Sequence, residues 1–129
     1  MDIFMTSVSA AEGDIPEDRV YDGVDLLPYV NGSIEGPVHD ALVWRSSYNH
    51  AIRTDRWKLI FNDREEHMEL YDLQADKSET WNRLEGRHEA VEELLRELNR
   101  LEGEFLSPLW PRVMDYHFVI DGVDYIFAI

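Results

Sequence analysis

The chain has 129 residues, of which 44% are hydrophobic and 12% are aromatic. This composition is typical of a globular domain, and the length allows one domain with a real core. Its 27 acidic and 12 basic residues give a formal net charge of −15, which argues against nucleic-acid binding because that function needs a basic surface.

The first part of the chain predicts short helices and loops. A helix is predicted over residues 2–12, with Asp2 as its N-cap, an apolar face and Gly13 as its stop. The stretch GVDLLPYVNG, residues 23–32, predicts a single helical turn between two loops.

The next part, residues 41–73, predicts a four-stranded antiparallel sheet. Four runs of five to seven residues are rich in Val, Ile, Leu and aromatic side chains: ALVWRSS, HAIRT, WKLIF and MELYDL. Alternation places Trp57, Leu59 and Phe61 on one face. The links between the runs are short and polar, which favours antiparallel hairpins.

A second helix and a final hairpin are predicted after the sheet. Apolar residues recur at spacings of 3, 4, 3 and 4 over residues 88–106, which predicts an amphipathic helix packed across the sheet. The tail HFVIDGVDYIFAI has two apolar runs around Asp121 and Gly122, the preferred pair for a type I′ hairpin turn. The expected fold class is α+β: a four-stranded antiparallel sheet with a C-terminal amphipathic helix packed on it, a short N-terminal helix and a C-terminal β-hairpin.

The stretch ELYDLQADKSETWN, residues 69–82, is an apolar run followed at once by a polar, turn-prone cluster. Several side chains in this cluster can cap turns with their oxygen atoms while the chain leaves the sheet for the helix. They are Asp76, Ser78, Glu79, Thr80 and Asn82. We therefore interpret the segment as structural.

No pattern in the sequence supplies the groups of an independent hydrolase. The hydroxyl and imidazole cluster of Ser46, Ser47, Tyr48 and His50 lies at a predicted hairpin and lacks a Gly-x-Ser-x-Gly elbow. The absence of Cys excludes disulfides, thiolate zinc sites and cysteine nucleophiles. The five His residues form no H-x-x-x-H or H-x-H pair, so no metal site is predicted.

Three blocks, in chain order, resemble formylglycine-dependent sulfatases of the alkaline-phosphatase-like superfamily. DIFMTSVSAAEGDIPEDRVYDGVDLLPYVNG resembles the family's D-I/L-F-P-T-L/I-L-x-L-A-G, an acidic loop and D-G-x-S/D-L-L-P. ALVWRSSYNHAIRTDRWKLIF is similar to its R-x-x-x-x-A-V/I-R-x-G-x-W-K-L-I strands, and ELYDLQADKSETWN to its E-L-Y-D-L-x-x-D-P-x-E-x-x-N signature. The resemblance covers residues 2–82. Met5, Asp55 and Lys77 depart from the family's Pro, Gly and Pro, and we expect Asp55 to tolerate left-handed geometry there.

The resemblance implies that the catalytic groups lie in another part of such an enzyme. The family's nucleophile is a formylglycine made in a C/S-x-P-x-R motif, beside a calcium ion held by Asp and Asn or His side chains. SPLWPR, residues 107–112, has the wrong spacing for that motif. We expect both cofactors to belong to a missing N-terminal domain, and the chain alone to be inactive. Its start suggests a truncated gene, a misplaced start or a deliberately shortened chain.

Residues 1–38 are then expected to pack on the missing catalytic domain, and residues 39–129 to form the sulfatase C-terminal subdomain. In that enzyme the subdomain would give structural support and form part of the substrate-cleft rim. The loop SSYNHAIR is the best candidate for substrate contact, with His50 and Arg53 as donors facing an anion. The alternative for Arg53 is an ion pair with an acidic neighbour.

The rival hypothesis is a free-standing interaction module, derived from such a subdomain, that self-associates through the exposed face. Expected partners are therefore the catalytic domain or a second copy, with no nucleic acid and no membrane. A cytoplasmic location is predicted because the chain shows no signal peptide and no apolar run long enough to span a bilayer. The sequence does not name a substrate.

Overall fold

The computed structural model describes residues 1–64, 67–107, 109 and 113–128. The chain divides into two compact units, Met1–Asp40 and Ala41–Ile129, which we describe separately. None of the described helices is both long and apolar enough to cross a membrane.

The first unit contains two helices, α1 (Asp2–Ala10) and α2 (Leu27–Val30). The second of these is the predicted single turn. The prediction of Asp2 as the N-cap of α1 is wrong: Met1 is the cap, and the Asp2 carboxylate instead accepts the backbone N–H of Val24 at 3.0 Å and contacts His39 Nε2 at 3.0 Å. The hydrogen bond from Val24, followed by that from His39, lowers the pKa of Asp2.

Helix α1 ends earlier than predicted. The left-handed residue that stops it is Glu12, with φ of 54°, rather than Gly13. The N–H of Gly13 donates to the Val8 carbonyl at 2.9 Å and that of Glu12 to the Ser9 carbonyl at 3.0 Å. This is a Schellman motif, which satisfies carbonyl groups that the last helical turn would leave unpaired.

The second unit contains the predicted four-stranded antiparallel sheet in the order β1-β2-β3-β4. Its strands are β1 (Leu42–Ser46), β2 (Asn49–Arg53), β3 (Trp57–Asn62) and β4 (His67–Asp72). Each strand pairs with its neighbour in sequence through a short connection. The antiparallel arrangement that the short links predicted is confirmed.

Helix α3 (His88–Glu102) packs on one face of this sheet. Its buried Leu94 and Leu98 join three fully buried strand residues in one core: Ile52, Leu59 and Leu70. The amphipathic pattern is confirmed, but the helix ends at Glu102, with Gly103 as its C-cap. We call the face that packs on α3 the helix face.

The opposite face, which we call the outer face, carries three rows of side chains that follow the strand register. The middle row crosses all four strands: Trp44, Ala51, Ile60 and Glu69. A polar row lies beside it: Ser46, Asn49, Asn62 and His67. The third row is Leu42, Arg53, Lys58 and Tyr71.

The last element is the hairpin of β5 (Asp115–Ile120) and β6 (Val123–Ala128). At its tip Asp121 and Gly122 have φ of 51° and 83°, so both central residues are left-handed. This is the geometry of a type I′ turn, and the prediction from the Asp-Gly pair is confirmed.

Candidate functional site

His50, one of the two predicted substrate contacts, lies on the helix face with its side chain 9% exposed. Its Nδ1 is 2.7 Å from Glu102 Oε1 and its Nε2 is 3.0 Å from Asp63 Oδ2. The imidazole also stacks on Phe61, with ring centroids 4.9 Å apart. Both ring nitrogens therefore meet carboxylates of the chain itself, and the residue joins the end of α3 to the end of β3.

Arg53 lies on the same strand, but three residues further along. Because side chains alternate between the faces of a strand, Arg53 is on the outer face and exposed. The structure therefore does not bring Arg53 and His50 together on one surface. In the described part of the chain, no carboxylate lies within ion-pair distance of Arg53. Contact of either residue with a substrate stays a prediction.

The Ser and Tyr residues near His50 do not form a nucleophilic site with it. Ser46 is on the outer face, opposite His50, and Ser47 occupies the tight β1–β2 turn with φ of 58°. The Tyr48 ring lies 4.1 Å from the guanidinium carbon of Arg64. These contacts fit a structural hairpin.

Asp72, a residue of the sulfatase-like motif at 69–82, links the end of β4 to the turn between β2 and β3. Asp72, at the end of β4, accepts hydrogen bonds from Arg56 Nη2 at 2.8 Å and from the Gln74 N–H at 3.2 Å. The hydrogen bond from Arg56 lowers the pKa of the Asp72 carboxyl. The Arg56 guanidinium also lies over the Trp57 ring, 4.8 Å from its centroid.

The loop after β4 is organised by two side chains that the sequence predicted as turn caps. The Asp76 carboxylate accepts the backbone N–H groups of Thr80 at 2.7 Å and Trp81 at 2.9 Å. Asn82 Oδ1 accepts those of Leu70 at 3.1 Å and Leu84 at 3.0 Å. The capping role is thus confirmed for Asp76 and Asn82.

Two expectations about this region are wrong. Glu79 does not cap a turn, because its carboxylate binds Lys58 Nζ at 2.7 Å. Asp55 does not adopt left-handed geometry, so the departure from the family's Gly needs no such tolerance. Instead its carboxylate accepts a hydrogen bond from Gln74 Nε2 at 3.0 Å, which links the β2–β3 turn to the loop after β4.

Comparison with known proteins gives matches to sulfatases. The uncharacterized sulfatase YdeN of Escherichia coli (strain K12) is 42% identical over 50 residues, which are 39% of this chain and 9% of YdeN. Human steryl-sulfatase is 37% identical over 68 residues, 47% of this chain and 12% of that enzyme. The chain resembles the C-terminal region of sulfatases.

A solved structure extends this sulfatase likeness to the fold. It is the Bacteroides thetaiotaomicron protein BT33336S-sulf, described in work on the metabolism of multiple glycosaminoglycans. It is 28% identical, matches 80% of this chain with a TM-score of 0.64, and is itself covered over 24% of its length. No family model matches the chain. The matched segments of the chain span 9% of the length of YdeN and 12% of that of steryl-sulfatase.

Proposed function

We propose that the chain is the non-catalytic C-terminal subdomain of a sulfatase-family sulfuric ester hydrolase. In that role it supports the catalytic domain and forms part of the rim of the substrate cleft. The observation that carries the proposal is the set of contacts made by the sulfatase-like motif residues. Asp72, Asp76, Glu79 and Asn82 are all occupied by contacts that hold the sheet and its following loop together.

The calcium ion and formylglycine that the resemblance implies are assigned to the catalytic domain. Over the described residues, no three His, Cys, Asp or Glu side chains are grouped so that they could hold a metal ion. The sequence also contains no C/S-x-P-x-R motif in which a formylglycine could be made from Cys or Ser. The residues present do not fit either group, and we derive no catalytic step for this chain.

The first unit supports the proposal that residues 1–38 pack on the catalytic domain. Helix α1 has no buried residue. Ile3, Val20 and Val30 are 72%, 88% and 82% exposed. Apolar side chains with this much exposure favour contact with another protein surface.

The same surface favours the second candidate function, a free-standing module that self-associates. Sedimentation velocity separates the two. An interaction module gives one defined oligomer whose mass does not change over a range of concentrations. A subdomain without its catalytic domain gives a monomer in exchange with heterogeneous aggregates.

The direct test is a chimera in which this chain replaces the matching segment of YdeN. We expect the chimera to fold and to retain the sulfatase activity that unmodified YdeN shows in the same assay, since the subdomain supplies support rather than reacting groups. A chimera with Ile52→Asp, which places a charge in the core, is the matched control and should lose both fold and activity.

The isolated chain gives the complementary test. With calcium present, it should hydrolyse 4-nitrophenyl sulfate no faster than buffer, because a sulfatase needs its nucleophile and metal together. Calcium-dependent turnover by the purified chain would overturn the proposal.

A further inference from the structure

A cavity of about 440 Å³ lies between the outer face of the sheet and the β5–β6 hairpin. Trp44, Ala51 and Ile60, from the middle row of the outer face, form an apolar floor. Tyr125 and Ile126 of β6 line the other side. All these residues belong to the second unit, so the cavity does not depend on the function proposed above.

Specific contacts hold the hairpin over the sheet. Asn49 Nδ2 donates to the Ile126 carbonyl at 3.0 Å, and the Tyr125 hydroxyl donates to Glu69 Oε1 at 3.1 Å. The Tyr125 and His67 rings also form a T-shaped pair, with centroids 5.6 Å apart. These contacts hold the hairpin in place, so the cavity has a defined wall on each side.

The size and lining favour a small ring system. Cavities of a few hundred Å³ with apolar walls and a few polar groups are typical small-molecule sites. The side chains of Ala51 and Ile60 are apolar, so they suit contact with the face of a ring. Trp44 is 50% exposed, so part of its ring remains available to a ligand.

The charge of the cavity selects among aromatic ligands. Glu69 is the acidic residue of the lining, and its side chain is 16% exposed. It accepts hydrogen bonds from the Tyr125 hydroxyl and from His67 Nε2, each at 3.1 Å. Burial, followed by the hydrogen bond to Glu69, raises the pKa of Tyr125, so its hydroxyl stays a donor. The field of a chain with a net charge of −15 adds to the repulsion of anions.

We propose that this cavity binds a small aromatic molecule that carries a positive charge. Its ring packs on Ala51 and Ile60 against Trp44, and its cationic group lies toward Glu69.

Tryptamine and indole-3-propionate test the proposal, because they share a ring and a two-carbon arm but differ in charge. Isothermal titration calorimetry at physiological salt should give saturable binding of tryptamine, at least about tenfold tighter than that of indole-3-propionate. No saturable binding of tryptamine would overturn the site. Equal binding of the two compounds would overturn the cationic assignment.

Two variants place the ligand in the cavity. Ala51→Phe fills the floor and should abolish tryptamine binding, whereas Ala75→Phe, at an exposed turn, adds the same bulk and should leave it unchanged. Glu69→Gln keeps the shape of the cavity but removes its negative charge. The affinities for tryptamine and indole-3-propionate should therefore become similar. Unchanged binding by Ala51→Phe would overturn the proposal.

Nuclear magnetic resonance of the wild-type chain locates the ligand even if Ala51→Phe does not fold. Tryptamine should shift the indole N–H signal of Trp44, assigned with Trp44→Phe, and leave those of Trp57 and Trp81 in place. Shifts confined to Trp57 or Trp81 would place the ligand elsewhere and overturn the proposal.

Discussion

Lys58 on β3 and Glu79 in the loop after β4 form an ion pair, with Nζ 2.8 Å from Oε1 and 2.7 Å from Oε2. Their side chains are 22% and 31% exposed. Glu79 has φ of 55°, a left-handed conformation that costs a residue with a Cβ roughly 1–2 kcal/mol. The ion pair holds this residue in place, and it connects two motif blocks through residues that are 21 positions apart in the sequence.

A double-mutant cycle should show this coupling. We expect Lys58→Met and Glu79→Gln to lower the free energy of unfolding individually, and the double variant to lose less than the sum, with a coupling of about 0.5–1 kcal/mol. Urea unfolding at constant m-value gives the four free energies. Lys77→Met, at the other lysine, is exposed and should have little effect. Strictly additive losses would show that the pair contributes nothing.

The contacts of His50 with Glu102 and Asp63 predict that it contributes to stability. His50→Ala should lower the free energy of unfolding by about 2 kcal/mol, because it leaves the Glu102 carboxylate without its 2.7 Å partner. Adding Glu102→Ala to His50→Ala should lower the free energy of unfolding little further, since Glu102 has already lost its His50 partner. Thermal and urea unfolding of the isolated chain measure both effects.

Arg53→Ala is the matched control on the same strand, and its effect on stability should stay within about 0.5 kcal/mol. In a full-length enzyme, it also tests the substrate-contact prediction. If Arg53 faces an anionic substrate, kcat/KM should fall while stability does not change. An unchanged kcat/KM would remove Arg53 from the cleft rim.

The Asp76 turn predicts a dependence of stability on pH. Burial opposes ionisation, but hydrogen bonds from the Trp81 N–H and from Thr80 outweigh it and lower the pKa of Asp76 below 3.8. Stability from this group is therefore fully present above the unfolded pKa and is lost as pH falls through the folded one.

We accordingly expect the urea midpoint of Asp76→Asn to fall less steeply below pH 3.8 than that of the wild type. The amide keeps an oxygen for the turn but does not ionise. Asp14→Asn is the control, since no hydrogen bond to the Asp14 side chain is found among the described residues. Identical pH profiles for Asp76→Asn and the wild type would contradict the prediction.

The first unit should exchange its amide hydrogens faster than the sheet. Helix α1 buries no residue, whereas β2, β3 and β4 each contribute a fully buried side chain to the core. Hydrogen–deuterium exchange read by mass spectrometry should show early labelling of residues 1–35 and late labelling of residues 49–72. Uniform protection from Asp2 to Phe127 would count against the proposed subdomain.

The local patterns of the sequence predict most of this fold. Period-two alternation specifies the strands, and the Asp121-Gly122 pair specifies its turn, because both signals act between residues close in sequence. Alternation also places His50 and Arg53 on opposite faces of the sheet. The prediction of one site for both residues did not take this into account.

Other features depend on contacts that no local pattern encodes. Asp2 is a good N-cap by residue type, but Val24 and His39 compete for its carboxylate. The apolar spacing of α3 continues to Phe105, which lies beyond the helix under the Arg45 guanidinium. The outer-face cavity likewise forms only where the β5–β6 hairpin packs against the sheet. No sequence motif predicts that contact.

The β1-β2-β3-β4 order has a consequence for the chain as it leaves the ribosome. Because each strand pairs with the one made just before it, loop closure is short and the sheet can form stepwise during synthesis. Helix α3 is made later, and until it arrives Ile52, Leu59 and Leu70 have no cover. The interval between the synthesis of β4 and of α3 is therefore when the nascent chain is most exposed to aggregation, and when a chaperone would have most to protect.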